Sequence, residues 1–83
     1  MRFVYILRSE ASGAYYTGLT CDPSSRLASH NAGRSPHTAK DRPWRIDVVI
    51  EFSDEVRACN FERYLKSGSG VAFAQRHLRT KTS

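Results

Sequence analysis

Several sequence features are absent from this chain, and each absence excludes a class of protein. No apolar run approaches the roughly 20 residues that a membrane-spanning helix needs. The N-terminus lacks the apolar stretch and small-residue cleavage site of a secretory signal peptide. We therefore expect a cytoplasmic protein that does not associate with membranes.

The two cysteines, Cys21 and Cys59, have neither CxxC spacing nor paired histidines, which excludes a cysteine-based zinc site. We expect them to be unpaired, small apolar residues.

Acidic residues are missing from the last part of the chain. The 83 residues carry a net charge of +5, yet residues 1–62 hold eight basic and eight acidic side chains. The whole excess therefore lies in residues 63–83, whose basic residues are Arg63, Lys66, Arg76, Arg79 and Lys81. A basic C-terminal segment suits a polyanion such as nucleic acid. Solubility alone is an equally good explanation of the same charge.

The length and pattern of the chain predict one small domain over residues 1–83, with 79–83 as a frayed tail. Apolar residues make up 40% of the sequence, which is enough for one core. The order of elements is β-β-α-β-α-α. Strands are predicted over 2–8, 14–20 and 45–52, helices over 23–31, 54–67 and 70–78, and an irregular loop over 33–44.

Two tyrosines on neighbouring predicted strands are candidates for chemistry. Tyr5 lies in the centre of the first strand and Tyr16 lies in the second, while Tyr15 should face the other side and serve packing. A free phenol has a pKa near 10, so it is a poor base at neutral pH unless cations lower that pKa. Simple core packing with a satisfied hydroxyl group is the competing interpretation.

Arg26 and His30 are four residues apart, so they share one face of the first predicted helix. Such a pair is able to bind a phosphate group and to transfer a proton to or from it. The alternative is an ordinary solvated helix face.

Glu62 follows the inward stripe of the second predicted helix, between Ala58 and Leu65. A carboxylate in this place indicates either a metal ligand or a structural ion pair with an arginine. Mg²⁺ is commonly held by one or two carboxylates, with water and substrate phosphate as the other ligands.

These residues together resemble the GIY-YIG nuclease superfamily. The resemblance is to its small single-domain bacterial members, which are similar to the N-terminal nuclease domain of the bacterial excision-repair endonuclease. Phe3-Val4-Tyr5 stands at the GIY position and Tyr16-Thr17-Gly18 at the YIG position. Arg26 stands at the helix arginine of the family, and Glu62 stands at its metal-binding glutamate.

The resemblance implies an α+β fold, in which helices flank a three-stranded antiparallel sheet. It also implies a metal-dependent endonuclease that hydrolyses phosphodiester bonds in DNA, in repair or recombination. Glu62 would hold Mg²⁺ or Mn²⁺, and Arg26 would stabilise charge on the phosphoryl oxygens. Tyr5 would be the general base or would orient the attacking water, with His30 assisting the proton transfer. Tyr16 would position the phosphate or the nucleophile.

Substrate contacts are expected from the loop and from the basic C-terminal segment. Gly18 would allow close backbone approach, and the expected basic contacts are Arg34, His37, Lys40 and Lys66. DNA would be recognised by its structure or without regard to its sequence, and a protein partner would help in targeting. The alternative function is a non-catalytic nucleic-acid-binding module, or a partner-dependent interaction module, with the same fold.

Overall fold

A three-stranded sheet lies at the centre of the structure, a computed structural model that describes residues 1–79. In chain order the elements are β1 (Arg2–Ser9), β2 (Tyr15–Thr20), α1 (Pro23–Asn31), α2 (Pro36–Ala39), β3 (Trp44–Phe52), α3 (Glu55–Leu65) and α4 (Gly68–His77). The strand order in the sheet is β2-β1-β3, and both pairings are antiparallel. The predicted three-stranded α+β architecture is confirmed.

The central strand β1 divides the core into two clusters, because successive side chains of a strand point to opposite faces. Val4 and Ile6 pack on one side of the sheet, here called the Val4 face. Tyr5 and Leu7 pack on the other side, the Tyr5 face. The helix residues in contact are Ala58, Leu65 and Ala74 on the Val4 face and Leu27 on the Tyr5 face. Helices α3 and α4 therefore cover one face, and α1 covers the other.

Side-chain caps fix where the long helices begin. The carboxylate of Asp22 accepts a hydrogen bond from the Ser25 amide, and Pro23 occupies the first helical position, so α1 has the predicted bounds. In the same way, Asp54 caps α3. Helix α3 ends at Leu65, two residues before its predicted end.

Helix α4 begins at Gly68 and not at residue 70, because Ser67 accepts a hydrogen bond from the Gly70 amide and caps the helix. The glycines that suggested a break lie in the first turn of this helix. A Cβ atom at Gly70 would collide with the Tyr64 carbonyl oxygen. Glycine at this position therefore allows the start of α4 to pack against the end of α3.

The predicted irregular loop 33–44 is wrong over its middle, where the chain forms the short helix α2. Two side chains order this segment. The Trp44 indole Nε1 donates a hydrogen bond to the Thr38 carbonyl oxygen at 2.8 Å. Asn31 binds the Trp44 backbone twice, since its Nδ2 donates to the carbonyl at 2.9 Å and its Oδ1 accepts from the amide at 2.6 Å. Hydrogen bonds to Trp44 thus order this segment, although its sequence has no periodic pattern of apolar residues.

Three smaller expectations concern the chain ends, the cysteines and membranes. Of the predicted frayed tail, residues 80–83 lie outside the described residues. Both cysteines are unpaired, as expected, but Cys21 is exposed and is not a packed apolar residue. Within residues 1–79, no helix is both long enough and apolar enough to cross a membrane.

Asn31 gives a direct test of how this segment is held. Replacing Asn31 with alanine leaves two backbone groups of Trp44 without their partner, so we expect the free energy of unfolding to fall by about 1–3 kcal/mol in urea denaturation. Asn60→Ala is the matched control, because Asn60 is exposed on α3. An equal loss in both variants would contradict a specific role for Asn31.

Candidate active site

Tyr5 and His30 form a buried hydrogen-bonded pair on the Tyr5 face of the sheet. The Tyr5 hydroxyl oxygen lies 3.1 Å from His30 Nε2, and each side chain is only 1% exposed. Helix α1 turns His30 towards the sheet, whereas Arg26, one turn earlier, is exposed. The interpretation of this helix face as simply solvated is therefore wrong for His30.

Thr38 of α2 extends this pair into a hydrogen-bonded chain. Its Oγ1 lies 2.8 Å from His30 Nδ1 and donates to the Ser35 carbonyl oxygen at 3.5 Å. Because the Thr38 proton is directed to Ser35, we assign the His30 proton to Nδ1, where it is donated to Thr38 Oγ1. His30 Nε2 then has a free lone pair and accepts the Tyr5 hydroxyl proton.

Tyr16 and Arg26 complete what is called below the tyrosine cluster, defined as Tyr5, Tyr16, Arg26 and His30. The ring centroids of Tyr16 and His30 are 4.7 Å apart, and those of Tyr5 and Tyr16 are 6.2 Å apart. A polar contact with the Tyr5 hydroxyl raises the pKa of Arg26, and Tyr16 adds to this effect. Four of the residues predicted to act together are thus in one place.

Burial dominates the electrostatics of the cluster. It raises the pKa of the Tyr5 phenol, although the Arg26 guanidinium and the Lys66 ammonium both act to lower it. Desolvation of the phenol therefore outweighs the effect of these two cations on its pKa. Burial also lowers the pKa of His30, and the positive charge of Arg26 lowers it further. The pair is consequently a neutral phenol facing a neutral imidazole.

Gly18 is directly opposite Tyr5 in the β1–β2 register. A Cβ atom at this position would lie 2.5 Å from both the Cζ and the hydroxyl oxygen of Tyr5. The close approach predicted for this glycine is therefore made by the Tyr5 phenol, which lies over the bare backbone.

Glu62 is half-buried, and its carboxylate is paired with Lys66, whose Nζ lies 2.6 Å from Oε2. Helix α3 packs on the Val4 face through Ala58 and Leu65. The charge of Lys66 acts on the Tyr5 phenol, and its ammonium group contacts Glu62, so this end of α3 lies near the tyrosine cluster. The predicted ion pair is therefore present, with a lysine in place of an arginine.

The chemistry of Glu62 limits what kind of metal it could hold. Residues 1–79 contain no group of three or more His, Cys, Asp or Glu side chains close enough to share a metal ion. A tetrahedral zinc site does not fit this donor set. A single carboxylate does fit Mg²⁺ or Mn²⁺, when water and a substrate phosphate fill the remaining positions.

The other predicted substrate contacts lie outside the tyrosine cluster. Arg34, His37 and Lys40 are exposed on and beside α2. Within the described part of the chain, their side chains make no hydrogen bond or ion pair with the cluster.

Two residues that hold the site were missed from the sequence. Thr38 fixes the His30 ring, and Trp44 holds Thr38 through its carbonyl oxygen. Ser35-Pro36 was the available indication, since a serine before a proline is typical of a helix start and predicts α2. No sequence pattern indicated that Thr38 would reach His30.

Gly18 gives a test of the packing under the site. We expect Gly18→Ala to lower the free energy of unfolding by about 1–3 kcal/mol, because the added methyl group displaces the Tyr5 ring. The near-ultraviolet circular dichroism of the tyrosines should change with it.

Gly68→Ala is the matched control for this substitution, since a Cβ atom there meets no other atom within 4 Å. We expect it to leave the unfolding free energy unchanged or to raise it. A Gly18→Ala protein as stable as the control would show that the phenol does not rest on this backbone.

Comparison with known proteins agrees with this geometry. Residues 1–71 match the family described as GIY-YIG catalytic domain. The chain is 42% identical over 59 residues to structure-specific endonuclease subunit slx1 of Schizosaccharomyces pombe, covering 66% of this chain and 22% of that protein. It is 41% identical over 71 residues to the subunit SLX1 of Meyerozyma guilliermondii, covering 76% of this chain and 24% of that protein.

A bacterial relative is closer to this chain in length. The UPF0213 protein of Lacticaseibacillus paracasei is 35% identical over 65 residues, covering 77% of this chain and 72% of that protein. The chain spans less than a quarter of the fungal relatives named above. The matched residues 1–71 include Tyr5, Tyr16, Arg26 and Glu62. The chain belongs to the family of GIY-YIG catalytic domains.

Proposed function

We propose that this protein is an endonuclease that hydrolyses phosphodiester bonds in DNA with the help of a divalent cation. The observation that carries the proposal is the buried contact between the Tyr5 hydroxyl and His30 Nε2, beside the exposed Arg26. A hydroxyl that donates to a neutral imidazole is prepared to pass on a proton. Structural packing alone does not require a histidine and an arginine to meet at one phenol.

Tyr5 is proposed to contact the attacking water, with His30 behind it. As the water attacks phosphorus, its proton passes to the Tyr5 oxygen while the Tyr5 proton passes to His30 Nε2. The P–O bond to the leaving sugar oxygen breaks, and the proton returns from His30 through the Tyr5 hydroxyl and solvent to that oxygen. His30 is covered by Tyr5 at one nitrogen and by Thr38 at the other, so it acts through the phenol and does not meet substrate.

Arg26 and Tyr16 are proposed to bind the phosphate. Arg26 is exposed and pairs well with phosphate through its planar guanidinium group. Tyr5 is 1% exposed and its hydroxyl contacts Arg26, so we propose that Arg26 turns to the incoming phosphate and lets water reach this hydroxyl. Tyr16 is half-buried beside His30, and its hydroxyl is proposed to donate a hydrogen bond to a phosphoryl oxygen. Substrate binding thus opens the site to its nucleophile.

Glu62 is proposed to hold the cation, Mg²⁺ or Mn²⁺, together with water and the DNA phosphate. A bound divalent cation neutralises charge on the phosphate and lowers the pKa of bound water. Lys66 contacts Oε2 of Glu62, and we propose that the cation displaces it from this oxygen. Once released, Lys66 is free to bind a DNA phosphate, which is the contact predicted for it.

DNA recognised by its structure is the proposed substrate, and a protein partner is proposed to direct the enzyme to it. The support is that the fungal relatives are named structure-specific endonuclease subunits. Residues 1–83 are proposed to act as one nuclease domain, in line with the family match over residues 1–71. The exposed basic residues beside α2 are proposed to contact the DNA backbone near the cleaved bond; they are Arg34, His37 and Lys40.

A cleavage assay tests the proposed function. We expect the wild type to cut labelled branched DNA in Mg²⁺ or Mn²⁺ and to stop in EDTA. Tyr5→Phe and Glu62→Gln should each lower the cleavage rate by about 100-fold or more, because one loses the proton path and the other loses the cation ligand.

Matched controls carry the same substitutions at exposed positions. Tyr64→Phe changes an exposed side chain of α3, and Glu51→Gln changes an exposed side chain at the end of β3, so both should cut at nearly the wild-type rate. Binding without cleavage on branched, nicked and linear DNA would contradict the enzyme and support a binding module. Equal cleavage by all variants would identify a contaminating nuclease.

A further inference from the structure

An arginine row crosses the sheet on the face opposite to Tyr5. Arg8 of β1 is in register with Tyr15 of β2 on one side and with Arg45 of β3 on the other. Residues in register point to the same face, and Tyr15 packs with Val4 and Ile6, so the row lies on the Val4 face. It is here called the Tyr15 row, defined as Arg8, Tyr15, Arg45 and Arg79.

Arg79 joins the row from the end of α4. Its Cζ lies 4.5 Å from the centre of the Tyr15 ring, and the Cζ of Arg8 lies 5.7 Å from the same centre. Both distances are within the range of cation–π attraction, which holds a guanidinium in place while leaving its donors available. Tyr15, which was expected only to pack, therefore also organises two arginines.

Within the described residues, no arginine of this row forms an ion pair. Across residues 1–79 the ion pairs are those of Arg2 with Glu55 and of Lys66 with Glu62, and neither involves the Tyr15 row. Like charges directly opposite each other on paired strands destabilise a sheet. Arg8 and Arg45 are directly opposite each other in this way. An anion bound between them would replace their repulsion with attraction and would stabilise the sheet.

A shallow depression of about 350 Å³ lies at the same place. It is lined by Arg8 and Arg45 together with Ser9, Glu10 and Gly13 at the hairpin turn. Glu10 is exposed and is the acidic residue of this lining. The depression is polar and open, as suits a phosphate backbone better than an apolar ligand.

We propose that the Tyr15 row binds the phosphates of a second duplex arm of branched DNA while the tyrosine cluster acts on the first. This inference rests on the proposed nuclease function and deepens it, because it gives a physical basis for choosing branched DNA. Arg8 lies three residues along β1 from Tyr5, or about 10 Å, and on the other face. Duplex DNA is stiff over such distances, so one straight duplex does not follow both faces of the sheet.

The row also fits the chemistry of phosphate recognition. Arginine binds phosphate with two parallel hydrogen bonds, and Arg8 and Arg45 present two such groups side by side. Contacts of this kind set the position of the DNA without reading its sequence. The second arm would therefore be recognised by where it lies, which is what selection by DNA structure requires.

The test compares branched and linear DNA of equal length in phosphate-free buffer with EDTA, so that binding is measured without cleavage. We expect Arg8→Gln/Arg45→Gln to weaken binding of the branched DNA about tenfold at low salt. For this variant, the plot of log affinity for branched DNA against log salt concentration should be less steep by about two, since two phosphate contacts are lost. Affinity for the linear duplex should stay near that of the wild type.

The matched control is Arg57→Gln/Arg63→Gln, which removes the same charge from exposed positions of α3. We expect its affinity for branched DNA to fall by the same small factor as its affinity for linear DNA. Glu10→Gln should strengthen binding of the branched DNA, and Arg8→Lys/Arg45→Lys should keep the salt slope of the wild type. Thermal unfolding checks that each variant is folded.

The outcomes separate this inference from the proposed function. If the Arg8→Gln/Arg45→Gln protein binds both DNAs as the wild type does, or loses affinity equally for both, the second-arm inference is overturned while the nuclease stands. If the wild type neither binds nor cuts any DNA, the proposed function itself fails. A wild type that cuts linear and branched DNA equally well would also overturn the second-arm inference.

Discussion

The hydrogen-bonded chain from Tyr5 through His30 to Thr38 is the interaction on which the site depends. Each member comes from a different element, so the chain forms only when β1, α1 and α2 are all in place. Gly18 leaves room for the phenol, and Trp44 holds the carbonyl group of Thr38. Loss of any of these hydrogen bonds would leave a buried polar group without its partner, which destabilises the folded protein.

The hydrogen-bonded chain also explains how the buried Tyr5 phenol acts at neutral pH. Nearby cations are one way to make a tyrosine act at neutral pH, but here burial outweighs them and raises the pKa of Tyr5. His30 offers the second way, because burial and Arg26 keep it neutral and able to accept a proton. The site therefore relies on a positioned acceptor more than on an ionised phenol. Arg26 is left free to serve the phosphate.

Sequence patterns were sufficient for the parts of the fold that depend on local chemistry. Asp22-Pro23 and Asp54 begin helices where caps predict them, and alternation along β2 placed Tyr15 and Tyr16 on opposite faces. The short helix α2 was missed although Ser35-Pro36 indicates its start, because four residues show no periodicity and a hydrogen bond from the Trp44 side chain helps to order them. The raised pKa of Tyr5 was missed because desolvation depends on packing that no residue spacing reveals.

The most direct test of this account is an NMR titration of the His30 ring nitrogens in the wild type and in Thr38→Val. In the wild type, the account predicts a neutral ring with its proton on Nδ1 and a pKa below the ordinary value for histidine. Thr38→Val should lose the preference for Nδ1, since the acceptor of that proton is gone. A wild-type ring that carries its proton on Nε2, or that is charged at neutral pH, would contradict the account.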